Sequence, residues 1–210
     1  MSECSSCSIK QDKSAYWTPS LYWENPEGQF IALNQTAGMQ VYYHLRGQSI
    51  EPFPQDFRII AGDSHLRDFP SAGDGIEKSD YAITGLSANQ DYLRQKAIAF
   101  TCLNYSAPAE PALAINALPQ RRRCPNGLRA EIMFPSCWNG VDSDSYDHRS
   151  HVKYPSTVDD GYCPEGYQNR IPSLFFETIW DIEAVSGKGG RLVFSNGDPT
   201  GKFLAVVRPL

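Results

Sequence analysis

Apolar residues in this 210-residue chain come in short alternating runs, each stopped by a cluster of Gly, Pro, Asn or Asp. That punctuation leaves little room for long helices and favours many short strands. Residues 128–134 show it best: Leu128, Ala130, Ile132 and Phe134 fall on one side, Arg129 and Glu131 on the other, the period of a half-buried strand. Segments 39–46, 57–61, 97–103, 174–180 and 192–195 read likewise, with turn clusters at 25–28, 47–49, 124–127 and 195–201. Only 87–96, behind the N-cap candidate Ser87, has the make-up of a helix, and 106–120 reads as an Ala/Pro-rich surface connection. The expectation is a mainly β single domain over residues 1–210, a β-sandwich or jelly-roll-like arrangement with long ordered loops.

Six cysteines, at 4, 7, 102, 124, 137 and 163, lie beside Pro, Ser and Gly, the setting of a disulfide framework that staples the domain. Zinc is the competing reading, since Cys4 and Cys7 have CxxC spacing, but no second close pair accompanies them. Three bridges allow fifteen pairings, among which spacing does not choose. Asn34 and Asn104 head glycosylation sequons, which fits an oxidising, secretory setting. The residues after Met1 carry no basic and apolar leader. The two observations together lead us to expect an extracellular or cell-wall protein with an incomplete N-terminus.

A net charge of −5 leaves no basic footprint for nucleic acid, and the one basic run, 121–123, falls in a loop. No stretch reaches the roughly eighteen apolar residues of a membrane span. There is no phosphate loop and no GxSxG elbow, so nucleotide and serine-hydrolase chemistry have nothing to stand on. Cofactor and oligomeric state stay open.

Chemistry concentrates in 135–155, too polar to form a core and therefore either functional or held by its own bonds. His148 and His151, three apart beside Asp147, suit acid/base or metal work with Asp147 as orienter; the plainer reading has both imidazoles holding loop shape. Tyr146, Arg149, Trp138 and Asp198 are candidate substrate contacts, with an Asx-type turn as the default reading of Asp198. Glu177, Asp181 and Glu183 would share one face of a strand, either as a glycosidase-like carboxylate set or as a solvated edge. Tyr16, Trp17, Tyr22, Trp23, Tyr42 and Tyr43 join Trp138 as possible sugar-stacking rings, with core packing as the default.

Several blocks, in order, carry a resemblance: DKSAYWTP at 12–19, VYY at 41–43, FRIIAGD at 57–63, CPNGLR at 124–129, FPSCW at 134–138, DHRSHV at 147–152, RIPSLFFE at 170–177 and SNGDPTG at 195–201. Over about residues 4–201 the chain resembles the domain-of-unknown-function family nineteen ninety-six of fungal secreted and cell-wall-associated proteins, sometimes joined to WSC or cellulose-binding modules. That family brings no established activity. Its members normally carry a leader and a Ser- and His-bearing strand upstream, and a Gly/His/Asp-rich stretch after the NGDPTG turn. Here 202–210 is apolar instead, and Asn139 stands where Asp is common after the Trp. The resemblance therefore implies a chain incomplete at both ends. With the loop composition, it also implies a secreted domain that binds, and in one reading cleaves, a cell-wall or plant-wall polysaccharide. The alternative is a non-catalytic, disulfide-stabilised wall or adhesion module.

Overall fold

The alternating segment at 128–133 lies inside the largest sheet of the protein. In this computed structural model residues 7–65, 90–109, 118–120 and 123–197 are described, with the backbone of 205–206. Along the chain come β1 (Leu21–Glu24), β2 (Phe30–Ala32), β3 (Gln35–His44), β4 (Ala61–Gly62), α1 (Gln90–Lys96), β5 (Ile98–Cys102) and β6 (Leu128–Met133). After them come β7 (Cys137–Trp138), β8 (Val152–Lys153), β9 (Asn169–Arg170), β10 (Ser173–Trp180), a 3-10 turn (Glu183–Val185), β11 (Arg191–Phe194) and β12 (Ala205–Val206). They form four sheets, ordered β3-β10-β6-β5, β11-β1-β2, β8-β7-β9 and β12-β4. The chain is mainly β, as its patterning requires.

One face of the four-stranded sheet carries Phe100, Leu128, Ala130, Ile132, Phe176 and Trp180 into the main core. Leu21, Leu192 and Phe194 of the β11-β1-β2 sheet enter the same core, and Phe194 stacks on Phe100 at 6.0 Å between centroids. Two sheets thus share one apolar interior, the arrangement a sandwich is built on. Phe134 sits between Tyr16 and Phe176 at 5.3 and 5.2 Å, in edge-on and tilted geometry.

The opposite face departs from the expectation of a solvated surface. Tyr92 and Leu93 of α1 pack there with Ala97, Met133, Tyr154, Val158 and Phe175 as a second core. Beside them Glu131 is 0% exposed. It pairs across the strands with Glu177, and the two share Arg129 at 2.8 and 3.6 Å. Thr101 and Tyr42 donate to Glu131 and Glu177 at 3.1 and 3.0 Å. A buried carboxylate survives only when paired and hydrogen-bonded in this way.

Bridges Cys102–Cys124 and Cys137–Cys163 bear out a disulfide framework; Cys4 lies outside the described residues. Cys102–Cys124 ties the end of β5 to the turn before β6. Gly127 closes that turn at φ +104°, where an added Cβ would come within 2.7 Å of Ile179 Cγ2. Cys137–Cys163 ties β7 to the segment before β9. Among the described residues no group of three or more His, Cys, Asp or Glu is placed to hold a metal ion. No described helix is long and apolar enough to cross a membrane.

Two local readings are corrected, and part of two others lies outside the described residues. Segment 57–61 forms strand only at its end, because the Arg58 and Ile60 N–H groups donate into the His-bearing loop, to Ser143 O (2.9 Å) and His148 O (3.2 Å). The Glu177 strand ends at Trp180, so Asp181 and Glu183 share no strand face with it: Asp181 accepts from the N–H of Glu183 at 3.1 Å across the start of the 3-10 turn, and Glu183 pairs with Arg123. The helix is described from Gln90, so the Ser87 cap falls outside the described residues, as do 110–117 of the surface connection.

Candidate functional site

Two-residue strands β7, β8 and β9 hold the ends of the loop that runs from Asn139 to His151, and the Cys137–Cys163 bridge fixes its base. Inside it a run of turns is tied by its own side chains. Asp147 accepts from the N–H groups of Arg149 and Ser150 (3.0 and 2.8 Å) and from the hydroxyls of Ser150 and Ser145 (2.6 and 2.9 Å). Burial pushes its carboxyl up, but these four donors outweigh that and hold it far below the usual Asp range. Asp147 touches neither imidazole in this arrangement; it reaches His151 only through Ser145.

The Ser145 hydroxyl gives its one proton to Asp147 and lies 2.7 Å from His151 Nδ1, so it accepts from the Nδ1–H tautomer. His151 is 1% exposed, with its ring edge-on to Phe57 at 5.2 Å. Burial lowers its pKa, so the ring stays neutral near pH 7 despite nearby Asp144 and Asp147. That is the placement of a shape-holding imidazole.

His148 differs. It stands at the surface with φ +53°, in the left-handed region that a non-Gly residue enters at a cost, and its Nδ1 lies 2.5 Å from Asp144 Oδ1. Burial raises Asp144, yet the bond to His148, the Ser145 N–H and the Arg58 charge bring it below its ordinary value. The carboxylate orienting an accessible imidazole is therefore Asp144, four residues upstream of His148.

The remaining candidates scatter. Tyr146 is fully exposed. Trp138 is 9% exposed; its indole N–H donates to Asp142 O at 2.7 Å and its ring meets Phe57 edge-on, so it offers no free face. Arg149 donates to Gly62 O at 2.6 Å and lies 3.9 Å from Asp63, tying the loop to β4. Asp198 lies outside the described residues.

A cavity of about 420 Å³ opens on the other side of segment 53–59, lined by Tyr16, Tyr43, Phe53 and Phe57 with Asp12 and Asp56. A second of about 580 Å³ continues it past Tyr43 and shares Asp12 and Tyr16. The Tyr43 hydroxyl donates to Asp12, and burial first, then that carboxylate, pushes the phenol far up. Asp12 is raised by burial, but its bonds from Ser14 and Tyr43 hold it ionised below the usual range. Phe57 and Arg58 join the two regions: both line the cavity, while Phe57 packs on His151 and Arg58 lies 3.8 Å from Asp144. Sequence reading picked out Tyr16 and Tyr43 and missed Asp12, Phe53, Asp56 and Phe57. Only the Pro-flanked Phe53 in EPFPQDF was a local signal for an aromatic held out in a loop.

A family model described as a domain of unknown function (DUF1996) matches residues 1–204, and the chain belongs to that family. Neither the search of curated proteins nor that of solved structures finds a match.

Proposed function

We propose that this is a secreted, single-domain glycan-binding module of the fungal cell surface or its plant-wall surroundings, with the continuous groove between 9–16, 39–43 and 53–59 as its binding site. What carries the reading is the groove's lining. Aromatic rings at Tyr16, Tyr43, Phe53 and Phe57 suit the C–H faces of pyranose rings, while ionised Asp12 and neighbouring Asp56 suit hydroxyl donors. A cleft that is mostly apolar, with a few convergent polar groups, is the usual form of a small-ligand site. The family's company with wall-binding modules points the same way, by association only.

A pull-down on insoluble glucans, xylans, chitin and uronate polymers tests it. Retention should fall at least tenfold in Phe53→Ala and Asp56→Asn while the melting temperature stays within a few degrees. Retention that ignores both substitutions rejects the groove, and silence across the panel rejects the glycan and leaves a structural wall module.

Cleavage is the second reading, favoured by one observation: the surface pair of His148 and Asp144, joined through Arg58 to the groove edge. Released reducing ends that vanish in His148→Ala but persist in His151→Asn would establish it. Asp147 and His151 support binding indirectly, by holding the loop.

A further inference from the structure

The two disulfides sit in opposite environments, and the difference is chemical. At Cys102–Cys124 both residues are buried, at 6% and 0% exposed, and among the described contacts no cation touches either sulfur. At Cys137–Cys163, Cys137 is 0% exposed while Cys163 is half-buried, which makes it the more accessible half of the bridge. The Arg170 guanidinium lies against both sulfurs, Nη1 at 3.4 Å from Cys137 Sγ and 3.5 Å from Cys163 Sγ. Arg170 is itself 6% exposed, roofed by Gly47, where an added Cβ would come within 2.8 Å of its Nε. Its one described carboxylate contact is Asp160, at 3.4 Å from Nη2 and 54% exposed, with the Asp159 charge acting on it from further away. A buried, lightly compensated positive charge beside a disulfide stabilises the thiolate that forms when the bond breaks.

We propose that Cys137–Cys163 is a thiol–disulfide exchange site for dithiol reductants, attacked at Cys163 with Cys137 as leaving group. The reagent's thiolate forms a bond to Cys163 Sγ as the Cys137–Cys163 bond breaks, and the electron pair leaves on Cys137 Sγ beside Arg170. The reagent's second thiol then attacks its own sulfur in the mixed disulfide and releases Cys163. Two electrons and two protons pass to the protein, and the dithiol departs as its disulfide. The regiochemistry follows from burial alone: Cys163 is the more exposed of the pair and Cys137 is fully buried, while Arg170 lies equally close to both sulfurs and stabilises the thiolate left on Cys137. Opening this bridge frees the base of the loop that carries His148 and His151 and flanks Arg58, so the reaction would loosen one wall of the groove while the main core keeps its own bridge.

Native protein titrated with dithiothreitol, trapped by alkylation and mapped by mass spectrometry gives the test, with Cys102–Cys124 as internal reference. Cys137 and Cys163 should become alkylated at a reductant concentration at least tenfold below that needed for Cys102 and Cys124. Arg170→Met should raise the concentration required at Cys137–Cys163 by about tenfold, the equivalent of one pKa unit on the leaving thiol. Asp160→Asn, at an exposed position that keeps an oxygen for the Gly161 N–H, should lower it several-fold. The two substitutions thus move the same bridge in opposite directions, which a general loosening of the fold cannot do. Should Arg170→Met fail to fold, Asp160→Asn decides. Reduction of both bridges together, or a Cys137–Cys163 bridge unmoved by Asp160→Asn, overturns the proposal.

Discussion

Replacing Arg129 by Met keeps most of the side-chain volume and removes the one positive charge between Glu131 and Glu177. In the native protein Arg129 Nε lies 2.8 Å from Glu131 and 3.6 Å from Glu177, and the two glutamate side chains are 0% and 8% exposed. Stripping the partner from a buried ion pair costs about 3–5 kcal/mol, because the carboxylate stays buried without compensation. Thr101 and Tyr42 remain as donors, one to each carboxylate, which places the expected loss near the lower end, about 3 kcal/mol. With a urea m-value of about 2 kcal/mol/M, the unfolding midpoint should fall by about 1.5 M, measured with both disulfides intact. The triple variant Arg129→Met, Glu131→Gln, Glu177→Gln removes the stranded charges and should return to within about 1 kcal/mol of the native protein. A single Arg129→Met variant that loses less than about 1 kcal/mol, at unchanged m-value, would show that these carboxylates are solvated and that the covered face has been misread.

Three more outcomes follow from the same contacts. Tyr154→Phe deletes a buried hydroxyl that donates to Met133 O at 2.8 Å and should cost about 1–2 kcal/mol in urea unfolding. His151 has its folded pKa pulled below the unfolded value of 6.5 by burial, so the stability it contributes is present above pH 6.5 and is lost as pH falls from there toward its folded pKa; the native protein should show that slope in thermal melts and His151→Asn should lack it. Asp144 and Asp147 are depressed instead, so their contribution is present above pH 4 and disappears on further acidification, and Asp147→Asn should flatten the acid limb.

Much of the framework was legible because strands five to eight residues long show their period: β5, β6 and β10 each lie within one residue of where alternation puts them, while β3 starts four residues before the segment read at 39–46. What lay hidden was what covers them. Arg129 and Glu131 alternate with Leu128 and Ala130 as surface residues should, and no local signal tells that α1 and a neighbouring glutamate close over that side. Strands β7, β8 and β9 have two residues each, too few to carry a period, so the frame of the His-bearing loop could not be read. Within the loop, proximity in sequence misled. Asp147 adjoins His148 but turns back to cap 149–150, and a left-handed His148 aims its ring at Asp144 instead. The groove draws on 9–16, 39–43 and 53–59, brought together only by folding.

The pairing pattern also dictates an order of assembly. Strand β3 finds its partner β10 about 130 residues later, and β1 pairs with β11 about 170 residues on, while β5 and β6 are near neighbours closed by a bridge of separation 22. Such distant contacts meet their loop-closure cost before any burial repays it, which makes folding slow. On a ribosome, β1 meets β2 at once but gains β11 only when residues beyond 190 are made, and β3 waits as an unpaired, partly apolar edge for β10, so the β5–β6 pair with Cys102–Cys124 is the seed against which both ends later close. A chaperone acting on this chain therefore has its task set in the first fifty residues.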